Sequence, residues 1–162
     1  MKKKFDHKTD WFYEGQVSAK IVDYLKKQNY QILKDNSKNI KQRGVDIVAI
    51  SPSGNTELIE VKGFPSTHHV KGVKKGEEKK TRPKDQANHW FSEAITDSIY
   101  NYGEQLTNYK NIVLAIGLPV DNQYKKLINK VEKYFTDNNT NFKVYLVDKD
   151  GNVTVDNLNS TK

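Results

Sequence analysis

The stretch GVDIVAISPSGNTELIEVKG, residues 44–63, decides how this chain folds. Residues 45–50 and 58–62 are apolar on both faces except at three charged positions, a pattern typical of strands that are covered on both sides. Between them, residues 52–55 have the composition of a tight turn. The stretch therefore predicts an antiparallel hairpin inside a larger sheet.

Three charged side chains interrupt the hairpin: Asp46, Glu60 and Lys62. A buried charge costs several kcal/mol unless it is paired or binds a metal. Because side chains alternate along a strand, Glu60 and Lys62 share one face. Asp46 faces Glu60 if paired residue numbers add up to 106, which a three- or five-residue loop or a bulge gives, and it lies on the other face if they add up to 107. We predict the first register, in which two carboxylates and an ammonium group converge.

Such a site suits a hard divalent cation. Mg²⁺ prefers carboxylate oxygens and keeps several of its waters, and Mn²⁺ can replace it. The cation can lower the pKa of a bound water and neutralise charge on a phosphate under attack. Lys62 can orient or deprotonate the attacking water, or stabilise the pentacovalent phosphate. The alternative interpretation of the same spacing is a buried ion-pair network without a metal.

The rest of the chain predicts helices and strands around the hairpin. Apolar periodicity and capping residues predict helices from a Thr9 or Asp10 cap to about Gln28, from Pro83 to about Thr107 and from Asp121, and strands over 30–33, 111–117, 142–147 and 153–155. The order α-β-β-β-α-β-α-β-β predicts an α/β (α+β) fold with a mixed sheet and helices packed on it. We expect a basic arm over residues 1–9 and a single domain over residues 10–162.

The pattern Gly44-Val45-Asp46, thirteen residues, then Glu60-Val61-Lys62-Gly63 resembles the PD-(D/E)XK nuclease superfamily, whose fold is called restriction-endonuclease-like. The helix with Tyr13-Glu14-Gly15 before the first strand is also similar to that superfamily. The resemblance covers residues 10–118, with Val45 where the motif name has proline. Within the superfamily the chain looks closest to small archaeal-type Holliday-junction resolvases and methyl-directed restriction nuclease domains.

The resemblance implies an αβββαβ core followed by a C-terminal helix and strands. It also implies a Mg²⁺-dependent endonuclease, with an exonuclease as the alternative. Asp46 and Glu60 would ligate the metal, with the carbonyl of Val61 as a further ligand, and Lys62 would be the catalytic lysine. Glu14, which its helical spacing also places on the inward face, would hold a water on the metal or a second ion.

Gln86 is a candidate accessory residue. Gln86 and Trp90 are similar to the Gln-x-x-x-Tyr motif of exonuclease-type relatives, and one helical turn separates them, so both can face the site. The alternative is a solvated surface glutamine.

The positive charge of the chain is concentrated after the hairpin. The 162 residues include 27 Lys+Arg and 20 Asp+Glu, a formal net charge of +7. Residues 71–84 contain seven basic and two acidic residues, so they carry most of it. We expect this loop, with two basic residues before Asp46, to contact the DNA backbone; the alternative is a solvated lysine loop. The predicted contacts are Lys41, Arg43, Lys71, Lys74, Lys75, Lys79, Lys80, Arg82 and Lys84.

Composition also excludes several classes of protein. The chain has no cysteine, so it has no disulfide framework and no thiolate zinc or iron–sulfur site, which excludes the iron–sulfur branch of exonuclease relatives. No GxxxxGK[ST] segment occurs, so no ATPase or helicase motor is expected. Apolar runs are far shorter than the roughly 18 residues of a membrane span, and no signal peptide is recognisable, so we expect a cytoplasmic protein without membrane contact.

Two classes of function follow from these features. The first is a nuclease acting on DNA, which would cut two strands most easily as a homodimer. Its alternatives are a nuclease acting on RNA and a nuclease subunit of a larger restriction, transposition or repair complex. The second is a non-catalytic nucleic-acid-binding or assembly protein on the same fold. A metal between Asp46 and Glu60 would favour the enzyme, whereas a direct Lys62 ion pair that closes the site would favour the binding protein.

Overall fold

The computed structural model describes residues 11–37, 44–65, 68–69, 73–74, 76–77, 79–80 and 82–159. The predicted order of helices and strands is confirmed, and the fold is a mixed α/β fold. In chain order the elements are α1 (Glu14–Lys27), β1 (Gln31–Asp35), β2 (Ile47–Ile50), β3 (Thr56–Val61), α2 (Pro83–Gln105), β4 (Ile112–Pro119), α3 (Asn122–Asp137), β5 (Phe142–Val147) and β6 (Val153–Asn157).

The described strands form one mixed sheet with the order β1-β2-β3-β4-β5-β6. The strands β1, β2 and β3 pair antiparallel, β3, β4 and β5 pair parallel, and β6 pairs antiparallel with β5. The two parallel connections pass through α2 and α3. Both helices therefore begin near the edge of the sheet at which β3 and β4 end.

The helices cover both faces of the sheet. On one face, α1 packs through Val17, Ile21 and Leu25 against inward-facing residues such as Ile59 and Val61. On the other face, α2 and α3 bury an apolar cluster centred on β4 and β5. Every residue of β3 is buried, including its two glutamates.

Several boundaries differ by a few residues from the predicted ones, among them the start of α1 and the end of β1. Helix α1 begins at Glu14, and its N-cap residue is Tyr13, whose side chain makes no capping hydrogen bond, so the prediction of a Thr9 or Asp10 cap was wrong. Strand β1 ends at Asp35 rather than near residue 33. The packing of α1 on the sheet fixes its start without a polar cap.

The inward face of α2 also differs from the expected one. Apolar periodicity predicts Ile99, Tyr102 and Leu106 to be inward, but their exposed fractions are 58%, 41% and 53%. The buried positions in this half of the helix are instead the polar residues Ser98 and Asn101. Apolar residues alone therefore predict the wrong inward face for this half of the helix.

In the described part of the chain, no helix is both long and apolar enough to cross a membrane.

Candidate active site

The register of the hairpin brings Asp46 and Glu60 opposite each other. Ile47 pairs with Ile59 and Ile50 with Thr56, so paired residue numbers add up to 106, and the predicted register is confirmed. Asp46 lies one residue before β2, at the position opposite Glu60. Its Oδ2 accepts a hydrogen bond from the backbone N–H of Val61 at 2.8 Å. The carboxylate of Asp46 is thus tied to β3 beside Glu60.

Lys62 lies among carboxylates from two elements. Its Nζ is 3.2 Å from Glu60 Oε1, 3.6 Å from Asp97 Oδ2 and 3.9 Å from Glu93 Oε2. The other oxygen of Glu60, Oε2, accepts a hydrogen bond from Asn101 Nδ2 at 3.4 Å. Helix α2 therefore covers the end of the hairpin with two acids and an amide.

The surroundings of Glu60 disfavour its charged form. Its exposed fraction is 8%. Burial, followed by repulsion from Asp46, raises the pKa of Glu60 to about 7, although Lys62 acts in the opposite direction. Burial also raises the pKa of Asp46 against the effect of the Val61 N–H. For Lys62, burial acts to lower the pKa, but Glu60 and Glu93 outweigh it and raise the pKa. Lys62 is therefore an ammonium group at neutral pH.

The start of α1 brings Glu14 close to this site. Glu14 is the first residue of α1, and its charge contributes to the raised pKa of Lys62. The approach depends on Gly63, because a Cβ there would lie 2.5 Å from the carbonyl oxygen of Phe12 and 2.7 Å from the backbone nitrogen of Glu14. A glycine directly after Lys62 thus lets α1 reach the end of β3.

Gln86 lies beside the basic loop. Its Oε1 accepts a hydrogen bond from Lys79 Nζ at 3.2 Å. The first acid of α2 that reaches Lys62 is Glu93, two turns or about 10 Å further along the helix axis. The structure therefore places Gln86 next to a predicted phosphate-binding lysine, with Trp90 half-buried one turn later.

The described part of the basic loop contains a narrow turn. The His69 N–H donates to the carbonyl of Glu77 at 2.8 Å, and the Gly76 N–H donates to the carbonyl of His69 at 2.8 Å. Lys74 at this turn is exposed. The loop thus presents a lysine to solvent on a backbone closed by hydrogen bonds.

The other predicted phosphate contacts fall into two groups. Lys80 and Lys84 are exposed, Lys79 is half-buried, and Arg82 is exposed and pairs with Asp85 at 2.9 Å. The remaining predicted contacts lie outside the described residues; they are Lys41, Arg43, Lys71 and Lys75.

Sequence reasoning missed four residues around the site. Glu93, Asp97 and Asn101 recur every fourth residue on α2, and this polar repeat beside the apolar stripe is the signal that could have identified them. From β1, Lys34 acts to lower the pKa of Asp46. Among the described residues at the end of the hairpin, carboxylates therefore outnumber ammonium groups.

A second buried glutamate lies on the opposite face of β3. Glu57 is fully buried, and its carboxylate accepts hydrogen bonds from Tyr30 at 3.0 Å and from Tyr145, and forms a salt bridge with Lys143. The sequence alone does not predict this cluster, because Glu57 lies close to the turn of the hairpin. With three donors, the carboxylate of Glu57 is well satisfied.

The donor set of the site fits a hard divalent cation. Asp46 and Glu60 are two carboxylates at facing positions of the hairpin, and burial followed by repulsion from Asp46 raises the pKa of Glu60 although Lys62 lies beside it. A bound cation would favour the charged forms of both carboxylates. Mg²⁺ is commonly held by one or two carboxylates together with waters and substrate phosphates. In the part of the chain that the structure describes, no group of three or more acidic or histidine side chains is arranged so that it could hold a metal ion, so the fit rests on the two carboxylates of Asp46 and Glu60.

Comparisons with family models, curated proteins and solved structures give no match to this chain. The resemblance to the PD-(D/E)XK superfamily stays a prediction, and the functional argument depends on the residues of the site.

Proposed function

We propose that this protein is a Mg²⁺-dependent nuclease of the PD-(D/E)XK type that hydrolyses phosphodiester bonds in DNA. The observation that supports this most is the meeting of Asp46 and Glu60 at the end of a buried hairpin, with Lys62 beside them. Two carboxylates followed by a lysine supply the groups that phosphodiester hydrolysis requires.

Each residue of the site has a distinct role in this proposal. Asp46 and Glu60, with the carbonyl of Val61, would hold Mg²⁺ or Mn²⁺. When bound, the ion would supply positive charge opposite the scissile phosphate and lower the pKa of the attacking water. Lys62, as an ammonium group, would orient this water and stabilise negative charge on the phosphate. Glu14 would hold water from the side of α1.

The pKa of Glu60 supports a functional role for this carboxylate. A carboxylate in a stabilising ion pair has a lowered pKa, because the partner favours its charged form. The pKa of Glu60 is instead raised to about 7 by burial and by Asp46. Strongly perturbed carboxylates of this kind are concentrated at functional sites.

One observation favours the second candidate, a nucleic-acid-binding or assembly protein without catalysis. Lys62 Nζ lies 3.2 Å from Glu60 Oε1, which is the direct ion pair that a binding protein would have. On this view Lys62 closes the site, and only the basic loop contacts the nucleic acid.

A cleavage assay separates the two candidates. Purified protein is incubated with supercoiled, linear, branched and single-stranded DNA and with RNA, in Mg²⁺, Mn²⁺ or EDTA. We expect metal-dependent cleavage by the wild type and a loss of at least about a hundredfold in Glu60→Ala and Lys62→Ala. The matched controls are Glu104→Ala and Lys110→Ala, which change exposed residues and should cleave normally.

Two outcomes of this assay contradict the assignment. Cleavage that survives both Glu60→Ala and Lys62→Ala would refute the assigned site. Binding of DNA by the wild type without cleavage in any metal would favour the binding protein. Sedimentation of the protein with and without DNA would test the expected homodimer.

The basic loop provides an independent test of the DNA partner. Replacing Lys74, Lys75, Lys79 and Lys80 by alanine should weaken binding and flatten its dependence on salt, because fewer counterions are released. An unchanged salt slope would show that the loop does not contact the phosphates.

A further inference from the structure

A groove of about 460 Å³ lies between the N-terminal halves of α2 and α3. In the part of the chain that the structure describes, its polar lining consists of three lysines and three amides and includes no acidic residue. The polar lining residues are Lys84, Asn88, Gln123, Lys126, Asn129 and Lys130. This groove is therefore a positively charged surface, and two of its lysines lie on α3, outside the predicted basic loop.

Two acids that neighbour the groove residues in the sequence have partners outside the lining lysines. Asp85 forms a salt bridge with Arg82 at 2.9 Å. Asp121 caps α3, where its Oδ1 accepts a hydrogen bond from the backbone N–H of Gln123. With three lysines in its described lining, the groove would attract an anion.

The groove opens at the same edge of the sheet as the candidate active site. Helices α2 and α3 follow the parallel strands β3 and β4, so both begin at the edge where these strands end. Tyr124, in the first turn of α3, donates a hydrogen bond to the carbonyl of Gly63 at 2.6 Å, directly after Lys62. Ligands of parallel sheets commonly bind at this carboxyl edge.

The chemistry of the lining identifies the ligand class. Lysine binds phosphate as a point charge, and amides can donate hydrogen bonds to phosphate and sugar oxygens. Among the described residues, the lining includes neither an arginine, which reads guanine bidentately, nor an aromatic ring, on which bases stack. The groove thus suits a chain of phosphates and not a particular base sequence.

The two walls of the groove are held together. Gln123 Nε2 on α3 donates a hydrogen bond to Asn88 Oδ1 on α2. This contact fixes the spacing of the two helices before any ligand binds, and a preformed site loses less entropy on binding.

We propose that the groove between α2 and α3 binds the phosphodiester backbone of the nucleic acid whose continuation enters the candidate active site. The inference rests on the proposed function, since the bound strand is taken to be the substrate. It assigns Lys126 and Lys130 as phosphate contacts that extend the binding surface beyond the basic loop.

The test is a binding measurement without cleavage. Fluorescence anisotropy of a short labelled duplex DNA is recorded in EDTA for the wild type, for Lys126→Ala/Lys130→Ala and for the control Lys26→Ala/Lys27→Ala. The control removes two exposed lysines at the end of α1, on the other face of the sheet. Thermal unfolding verifies that each variant is folded. Lys126→Gln/Lys130→Gln is a second variant, which removes both charges but keeps longer side chains than alanine.

The expected effect follows from counterion release. Each lost phosphate contact reduces the salt slope by about 0.9, so between about 50 and 200 mM salt the wild type should lose about tenfold more affinity than the groove variants. The control should match the wild type. A duplex RNA of the same length should give the same difference, because the groove contacts the backbone.

Three results would overturn the inference: wild-type protein that does not bind the duplex, equal slopes for the wild type and the groove variants, or an equal decrease in the control. The inference would also be overturned if Lys126→Ala/Lys130→Ala weakened binding to phosphatidylserine vesicles but left binding to nucleic acid unchanged. Because EDTA prevents metal-dependent cleavage, failure of the nuclease proposal leaves this measurement interpretable. If the groove variants keep the wild-type salt slope and the wild type cleaves DNA, the proposed role of the groove is refuted and the nuclease proposal stands.

Discussion

Replacing Glu60 by glutamine should stabilise the metal-free protein at alkaline pH. The substitution keeps the size of the side chain and removes a charge that is 8% exposed and faces Asp46. The pKa of Glu60 is raised from an ordinary value of 4.5 to about 7. At about 1.4 kcal/mol per pKa unit, the ionised form costs the folded state about 3 kcal/mol above pH 7.

The sign of the pH dependence follows from proton binding. Because the folded protein holds this proton more tightly than the unfolded chain, its stabilising contribution is complete below about pH 4.5 and is lost as the pH rises through about 7. Glutamine does not titrate, so the stability of Glu60→Gln does not fall in this way as the pH rises. Wild type and variant should therefore be similarly stable near pH 4.5, and the variant should be more stable by up to about 3 kcal/mol at pH 8.

Urea unfolding in EDTA across this pH range measures the difference. Glu104→Gln, at an exposed position of α2, is the matched control and should follow the wild type at every pH. A Glu60→Gln variant less stable than the wild type at pH 8 would refute the reasoning, because it would show that the ion pair with Lys62 is net stabilising. The same result would favour the binding protein over the nuclease, so the experiment tests both the electrostatics and the function.

Three further predictions concern the same end of the sheet and its opposite face. Mg²⁺ at ten times its Kd should stabilise the wild type by about 1.4 kcal/mol at pH 8 and leave Glu60→Gln unchanged in thermal unfolding; equal shifts would place the ion elsewhere. Gly63→Ala should destabilise by about 1–3 kcal/mol in urea and reduce cleavage, since its Cβ would lie 2.5 and 2.7 Å from backbone atoms at the start of α1. Gly103→Ala, with nothing within 4 Å, should be stabilising by about 0.5–1 kcal/mol, and a similar gain at Gly63 would contradict the close approach. Glu57→Gln should destabilise by about 3 kcal/mol at neutral pH, because Lys143 would lose its buried counter-charge; an unchanged urea midpoint would contradict this.

The hairpin and its register could be predicted because strong local signals agree. Apolar runs on both sides of a Pro-Ser-Gly-Asn turn define two strands, and only the 106 register brings the charges of Asp46 and Glu60 to one face. Period-2 alternation leaves few alternatives once one pair is fixed. The sequence of elements followed from the same kind of evidence, since each apolar run is separated from the next by polar or glycine-containing residues.

Packing between distant elements could not be predicted in the same way. The polar residues Asn101 and Asp97 of α2 face the hairpin because Glu60 and Lys62 lie opposite, and nothing in the local periodicity of α2 records that partner. The groove is likewise formed only when α3 packs beside α2, which brings Lys126 next to Lys84 over 42 residues of sequence. The sequence predicted the charged residues of the hairpin and the presence of the helices, but not which residues of α2 face the hairpin.

Strand β3 contains two buried glutamates whose different surroundings separate stability from function. Glu57 faces α1 and receives three donors, among them Lys143, so its charge is matched by groups that the fold supplies. Glu60, three residues later on the opposite face, has Lys62 and Asn101 as partners but shares its surroundings with Asp46 and further acids. Both belong to the same fully buried strand, so the contrast is due to the neighbouring side chains. The fold supplies Glu57 with a full set of partners but leaves Glu60 with a pKa near 7. A bound cation is the partner that would favour the charged form of Glu60, as at a functional site.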